Sequence, residues 1–239
     1  MGGQDHDVGY ISESKVLEVI KIGNVIVHKV DKITFKEGEI VECKVDKNRR
    51  EILSKHHTAV HIMLAACRKV LGKHVWQAGA EKTIEKARLD ITHYKDISEQ
   101  EIEKIEEEAN KIINQNIKIN KFFIERNEAE KKYGFKIYQG GYVPSKIIRI
   151  VEIENVDVEA CSGTHVNSTK EVEYIKIINV KKIADNVYRL EFVASENAIK
   201  FLKEKEKIYE EIKKLLNAND ENIIEKAKEL FEKWKKLKK

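Results

Sequence analysis

Two pairs of side chains, His57 with His61 and Cys161 with His165, constrain the fold of this chain more than any other feature. Residues at i and i+4 share one face of a helix, so two imidazoles at that spacing can point at a single ion. The first pair lies in a stretch of helical periodicity, with Ala59, Ile62, Met63, Ala66 and Val70 recurring on one side. Ser54 reads as the cap of that helix and Gly72 as its stop. The second pair, in Cys161-Ser162-Gly163-Thr164-His165, falls in a turn predicted between strands. Either pair alone is commonly incidental. Together they make a three-nitrogen, one-sulfur tetrahedral set of the kind that suits zinc, provided the fold returns residue 161 to the helix.

Other histidines and cysteines fit this set less well. His56, His74 and His93 read as surface or packing residues, although His56 adjoins the set and can lean into it. Cys43 and Cys67 sit at core-like positions and are expected to pack as small hydrophobes. Thr58 follows the first histidine, so the glutamate base of a His-Glu-x-x-His protease is missing.

Composition narrows the class. The chain of 239 residues is 41% hydrophobic and 36% charged, a globular profile with a heavily charged surface. Its net charge of +4 does not by itself announce nucleic-acid binding, although lysines can still gather on one face. Three cysteines form no paired framework, no apolar run approaches the roughly 18 residues of a spanning helix, and the first residues are polar. The expectation is a cytoplasmic protein with no membrane association.

Along the chain, residues 16–20, 24–28 and 39–43 are β-rich runs separated by turns, which suggests a small barrel or meander. A capping box at Ser98-x-x-Glu101 starts a second helix through Ile102, Ile105, Ala109 and Ile112. A short helix is predicted over 127–133 with Asn127 as its cap. Strands are predicted over 147–151, 171–178 and 188–193. The fold class is therefore α+β. Beyond Ser195 the chain turns into charged amphipathic helices, about 198–216 and 223–237, interrupted by Asn217-Ala218-Asn219-Asp220. An antiparallel helical hairpin and a two-stranded pairing with a second chain both fit that pattern.

His57-x3-His61 with Cys161-x3-His165 resembles the editing domain shared by alanyl- and threonyl-tRNA synthetases and by free-standing alanyl-tRNA editing proteins. Further segments resemble the alanyl branch in its archaeal form. They are Gly2-Gly3-Gln4, residues 71–79, Arg88-Leu89-Asp90-Ile91-Thr92-His93, Tyr138-Gln139-Gly140-Gly141 and Cys161-Ser162-Gly163-Thr164-His165-Val166. The resemblance runs in colinear order over about residues 1 to 195. Two departures are Val60, where many bacterial relatives have threonine, and Ser162, where glycine is commoner.

The resemblance implies an incomplete N-terminal β-barrel over 1–52, a zinc-containing editing domain over 53–195, and the start of a dimerisation region over 196–239. It implies Zn2+ held by His57, His61, Cys161 and His165, and hydrolysis of serine or glycine from tRNA(Ala) misacylated at its 3′ end. Gln77, Thr58 and Gln4 are expected at the catalytic pocket, and Lys82, Lys86 and Arg88 against tRNA. The C-terminal helices are expected to pair two chains as a homodimer. Because the likeness begins inside the glycine-rich element, Met1 reads as a start within a longer synthetase; nothing resembles an aminoacylation core. A zinc-stabilised tRNA-binding module without activity and a free-standing deacylase are the alternatives. Four protein ligands describe a closed site, so zinc is expected to position substrate and water more than to activate water.

Overall fold

A computed structural model describes residues 3–23, 25–139, 141 and 143–238. Gly2, Asn24 and Gly140, which figure in the sequence reading, lie outside the described residues. Residues up to 195 form one compact unit and residues 196 onward a second.

The first unit opens with a four-stranded sheet in the order β3-β2-β1-β4, built from β1 (Gly9–Ile11), β2 (Ser14–Ile22), β3 (Val25–Val30) and β4 (Cys43–Val45). All its pairings are antiparallel. The expected incomplete barrel is here an open sheet among the described residues. The strand expected over 39–43 forms later, as β4, because pairing with β1 selects Cys43-Lys44-Val45. Cys43 is consequently exposed rather than packed in a core.

Helix α1 (Lys47–Leu71) starts seven residues before the expected cap, since the Asp46 side chain accepts a hydrogen bond from the Arg49 backbone N–H. Ser54 is thus an interior, buried residue. Most of α1 from Leu53 to Cys67 is buried, polar and apolar positions alike. A helix enclosed on nearly every side must give its polar side chains specific partners. This is the setting of His57 and His61.

A second antiparallel sheet, in the order β10-β11-β6-β5, covers α1. Its strands are β5 (Gln77–Lys82), β6 (Ala87–Thr92), β10 (Ile175–Ala184) and β11 (Val187–Ala194). Helix α2 (Glu99–Asn114) packs against α1 and carries the expected Ser98–Glu101 capping box. A third sheet, β7-β8-β9, comprises β7 (Ile119–Glu125), β8 (Ile147–Ile153) and β9 (Asp157–Ala160). Between β7 and β8 lies α3 (Arg126–Tyr133), which has no side-chain cap; Asn127 is inside it. Of the strand expected over 171–178, residues 171–172 instead belong to a single 3-10 turn, Thr169–Val172, and β10 begins at Ile175. The main core joins α1, α2 and the second sheet through residues such as Ile62, Met63, Leu89, Ile105, Leu190 and Phe192. The architecture is thus α+β with antiparallel sheets.

The second unit comprises α4 (Glu196–Leu215) and α5 (Ile223–Leu237). Lys213 lies 2.6 Å from Asp220 at their junction, and Phe231 stacks on Trp234 within α5. Leu215, Leu230, Phe231 and Trp234 are exposed. Among the described residues, no helix is long and apolar enough to cross a membrane.

Candidate metal centre

The topology carries β9 to the middle of α1, and the turn after β9 then brings Cys161 and His165 onto His57 and His61. One ligand atom from each of the four lies within 4.8 Å of all the others. Cys161 Sγ is 3.3 Å from His57 Nε2 and 3.4 Å from His165 Nε2. A tetrahedral ion with metal–sulfur near 2.3 Å and metal–nitrogen near 2.0–2.1 Å sets a sulfur–nitrogen edge of about 3.5 Å. The donor spacing and chemistry therefore fit an ion such as zinc.

Each imidazole is oriented from behind. His57 Nδ1–H donates to Gln4 Oε1 at 2.7 Å. Gln4 is fixed in turn, because its Oε1 accepts from the Thr164 backbone N–H and its Nε2 donates to Thr164 Oγ1. His165 Nδ1 meets Thr58 Oγ1 at 3.2 Å, and the same hydroxyl oxygen accepts from the Val166 backbone N–H. His61 Nδ1 lies 3.2 Å from Asp157 Oδ2, close enough for an ion pair but misaligned for a hydrogen bond. Three Nδ1 atoms thus face three different partners, the arrangement that fixes ring orientation at metal sites.

The turn itself is clamped. Arg149 Nη1 donates to the carbonyls of Cys161 and Gly163, at 2.8 and 2.9 Å. Lys121 Nζ donates to the carbonyls of His165 and Val166 and to Asn167 Oδ1. At Gly163 a Cβ would clash with Cε1 and Nδ1 of His57 and come within 2.9 Å of Gln4 Oε1, so only glycine fits. Ser162 is exposed, which explains why a side chain is accommodated there. On the other side, Gly3 (φ +71°) lies where a Cβ would strike the Ala80 carbonyl. There the backbones of Gly3 and Asp5 bond to that of Lys82 and hold Gln4 against β5.

Charge differs sharply between the donors. Burial drives the His57 and His165 imidazoles well below their ordinary pKa, helped by neighbouring positive charge. Burial also acts to lower His61, but Glu159 and Asp157 outweigh it and raise His61 well above the ordinary value. Burial opposes ionisation of the Cys161 thiol, yet the hydrogen bond and charge of His61 bring it below the usual range. Burial pushes the Glu159 carboxyl up to about 7, with His61 opposing and Asp157 adding.

Glu159 was not legible from sequence as a site residue. Its Oε2 lies 3.4 Å from His61 Nε2, while its Oε1 is buried without a hydrogen-bond partner among the described residues. It lines a cavity of about 810 Å³ together with Gln4, His57, His61, Gln77, Lys82 and Cys161. The alternation β9 imposes, which carries Asp157 and Glu159 to the same face as the approach to Cys161, was the available signal.

The other expected residues divide. Gln4 and Gln77 line the cavity. Thr58 is fully buried behind His165 and is not among the lining residues. Lys82 is only 2% exposed and faces into the cavity region, where burial lowers its pKa against the pull of Cys161 and Glu159. Lys86 pairs with Glu191, and Arg88 with Glu81 and Asp90, in the second sheet. His56 turns away to the Thr83 carbonyl, and His74 bonds to His93.

Residues 148–191, which span β8, β9, the clamped turn and most of the β10–β11 hairpin, match the family described as "Threonyl and Alanyl tRNA synthetase second additional domain". The chain is 46% identical over 242 residues to an alanine–tRNA ligase of Methanopyrus kandleri, covering 100% of this chain and 26% of that protein. It is 50% identical to the alanine–tRNA ligase of Staphylothermus marinus, over 99% of this chain and 27% of that one. The ligase of Pyrococcus abyssi is 44% identical over 243 residues. The chain spans about a quarter of the length of these relatives. Along its whole length it is therefore a homologue of archaeal alanine–tRNA ligases, over a stretch that includes the second additional domain those enzymes share with threonyl-tRNA synthetases.

Proposed function

We propose that this chain removes serine or glycine wrongly esterified to the 3′ end of tRNA(Ala), at a zinc ion held by His57, His61, Cys161 and His165. The observation that carries the reading is the convergence of these four donors, each imidazole oriented from behind, beside a cavity lined by His57, His61 and Cys161 and by the buried carboxylate of Glu159. The relatives' name, alanine–tRNA ligase, supports tRNA(Ala) as the partner.

When bound, zinc would hold the aminoacyl group and the water in register, since four protein donors leave it no obvious open position. Glu159 is the group placed to move the proton. Its carboxylate accepts a proton from water as the water oxygen bonds to the ester carbonyl carbon. The bond to the ribose oxygen then breaks, and that oxygen takes the proton. Gln77 and Gln4 supply amide groups at the cavity wall, and a polar partner for the serine hydroxyl is what separates serine from alanine. Thr58 acts through His165 and is a positioning residue.

Purified protein is expected to contain one zinc per chain and to deacylate Ser-tRNA(Ala) faster than its metal-free form. Glu159→Gln is expected to lower kcat by about 10²–10⁴-fold with zinc content unchanged. Retention of full kcat by that variant would remove Glu159 from the chemistry. Thr58→Val is expected to weaken zinc binding about 10–100-fold, read by competition with a chromophoric chelator. The closed donor set also fits a second reading, a zinc-stabilised tRNA-binding module. It is the correct one if the zinc-loaded protein binds tRNA(Ala) but gives no turnover above the metal-free control. The exposed apolar stripe of α4 and α5 fits a dimerisation region, which sedimentation of the intact chain tests.

A further inference from the structure

The cavity extends far beyond the four donors. Its volume of about 810 Å³ is at the upper end for small-ligand sites, roughly 300–1,000 Å³, and a serine or glycine group fills a small part of it. The remainder runs along the N-terminal sheet, where Val16, Val19 and Lys21 of β2 and Ile26 and His28 of β3 form the wall. Cross-strand register pairs Val19 with His28 and Lys21 with Ile26. Residues two apart on a strand share a face, and directly paired residues share it too, so these four form one patch. The patch alternates an apolar with a polar side chain along each strand and across each pair.

The patch is largely open to solvent. Ile26 is 48% exposed, and Lys21 and His28 are exposed beside it. Two other cations of the cavity wall are paired, Arg50 with Asp7 and Lys44 with Glu42, and Lys82 lies buried beside Glu159 and Cys161. Among the described residues Lys21 has no acidic partner. An apolar strip flanked by an ammonium and an imidazole matches a nucleotide, with a flat base for the aliphatic side chains and a phosphate for the polar ones.

We infer that the inner face of the β2–β3 ribbon is the seat of the terminal nucleotides of the tRNA 3′ end, with Lys21 and His28 on phosphate and Val19 and Ile26 against the base. The inference rests on the reading of the cavity as an aminoacyl-ester site, because continuity with that site is what selects a single-stranded RNA end. The chain would then grip its substrate on the N-terminal sheet and cut it at α1 and β9.

The test is direct binding of a fluorescently labelled, uncharged single-stranded RNA ending in CCA, by anisotropy, over a range of salt concentrations. The intact chain is compared with Lys21→Glu, His28→Ala and Ile26→Asp. Each variant is expected to bind about tenfold more weakly, and the salt dependence of Lys21→Glu to become shallower by roughly 0.7 per lost phosphate contact. Melting temperature and zinc content check that each variant is folded. Equal binding by folded Lys21→Glu and His28→Ala overturns the inference, as does absence of RNA binding by the unmodified chain. Zinc content and Ser-tRNA(Ala) hydrolysis, measured on the unmodified chain, report on the function separately. Hydrolysis with unaltered RNA binding in the variants would sink this site and leave the deacylase reading standing; RNA binding lost in the variants without hydrolysis in the unmodified chain would keep this site and sink the deacylase reading.

Discussion

Replacing Cys161 by alanine is expected to reduce zinc from one equivalent per chain to a small fraction and to abolish deacylation of Ser-tRNA(Ala). The loss should exceed the roughly 10–100-fold penalty of an outer partner, because the sulfur is the single anionic donor in the set. It also faces two of the three ring nitrogens directly, at 3.3 and 3.4 Å. The chain should nonetheless stay folded. The main core joins α1, α2 and the second sheet through large apolar side chains that owe nothing to the ion. Without metal, His57 and His165 are held neutral and His61 sits between Asp157 and Glu159, so no imidazolium is left buried without a counter-charge. Zinc at a thousand times its Kd adds about 4 kcal/mol of stability. The variant should therefore melt lower than the loaded protein but near the chelated one. Zinc analysis and thermal melts of both proteins, with and without chelator, check this. A variant that keeps a full equivalent of zinc would falsify the ligand set.

Gly163→Ala is expected to damage the site almost as severely through a single methyl group. The added carbon would clash with Cε1 and Nδ1 of His57 and approach Gln4 Oε1 to 2.9 Å, well inside ordinary contact of about 3.5–4.0 Å. Neither neighbour has freedom to yield. His57 is packed in the most enclosed part of α1, and Gln4 is tied to both backbone and side chain of Thr164. The turn cannot retreat either, since Arg149 binds the Cys161 and Gly163 carbonyls. Displacement of a ligand or positioning group by about 1 Å costs on the order of 10²-fold in rate. The expected result is a loss of about that size in kcat, with weakened zinc retention. Ser162→Gly is the control: its side chain is exposed, and the exchange should leave both nearly unchanged. Equal activity of Gly163→Ala and the unmodified chain would mean that the turn is not seated against His57 as described.

The two variants also show how unevenly the site was written in the sequence. The ligand pairs could be read because local spacing suffices: four residues on a helix put His57 and His61 on one face, and a short turn holds Cys161 near His165. The Ser98–Glu101 box was readable for the same reason, since both of its hydrogen bonds close within one turn. Local signals misled where a competing local cap or the packing decided. Ser54 looks like a cap, but Asp46 starts the helix and the fold buries Ser54 inside it. Residues 171–172 look like strand, yet the chain there turns before β10. Lys82 looks like a surface cation, but bonding of Gly3 and Asp5 to its backbone draws it into the cavity.

The sequence by itself determined which four atoms could bind an ion and that helix and strand blocks alternate around them. Tertiary structure alone decided what stands behind and beside those atoms. Gln4, Thr58 and Asp157 reach the three Nδ1 positions from separate parts of the chain, and Glu159 arrives with a strand whose partner is β8. The reason is physical. Ligand spacing is fixed by the geometry of one helical turn, whereas burial, charge and the close approach at Gly163 exist only once segments a hundred residues apart are packed together.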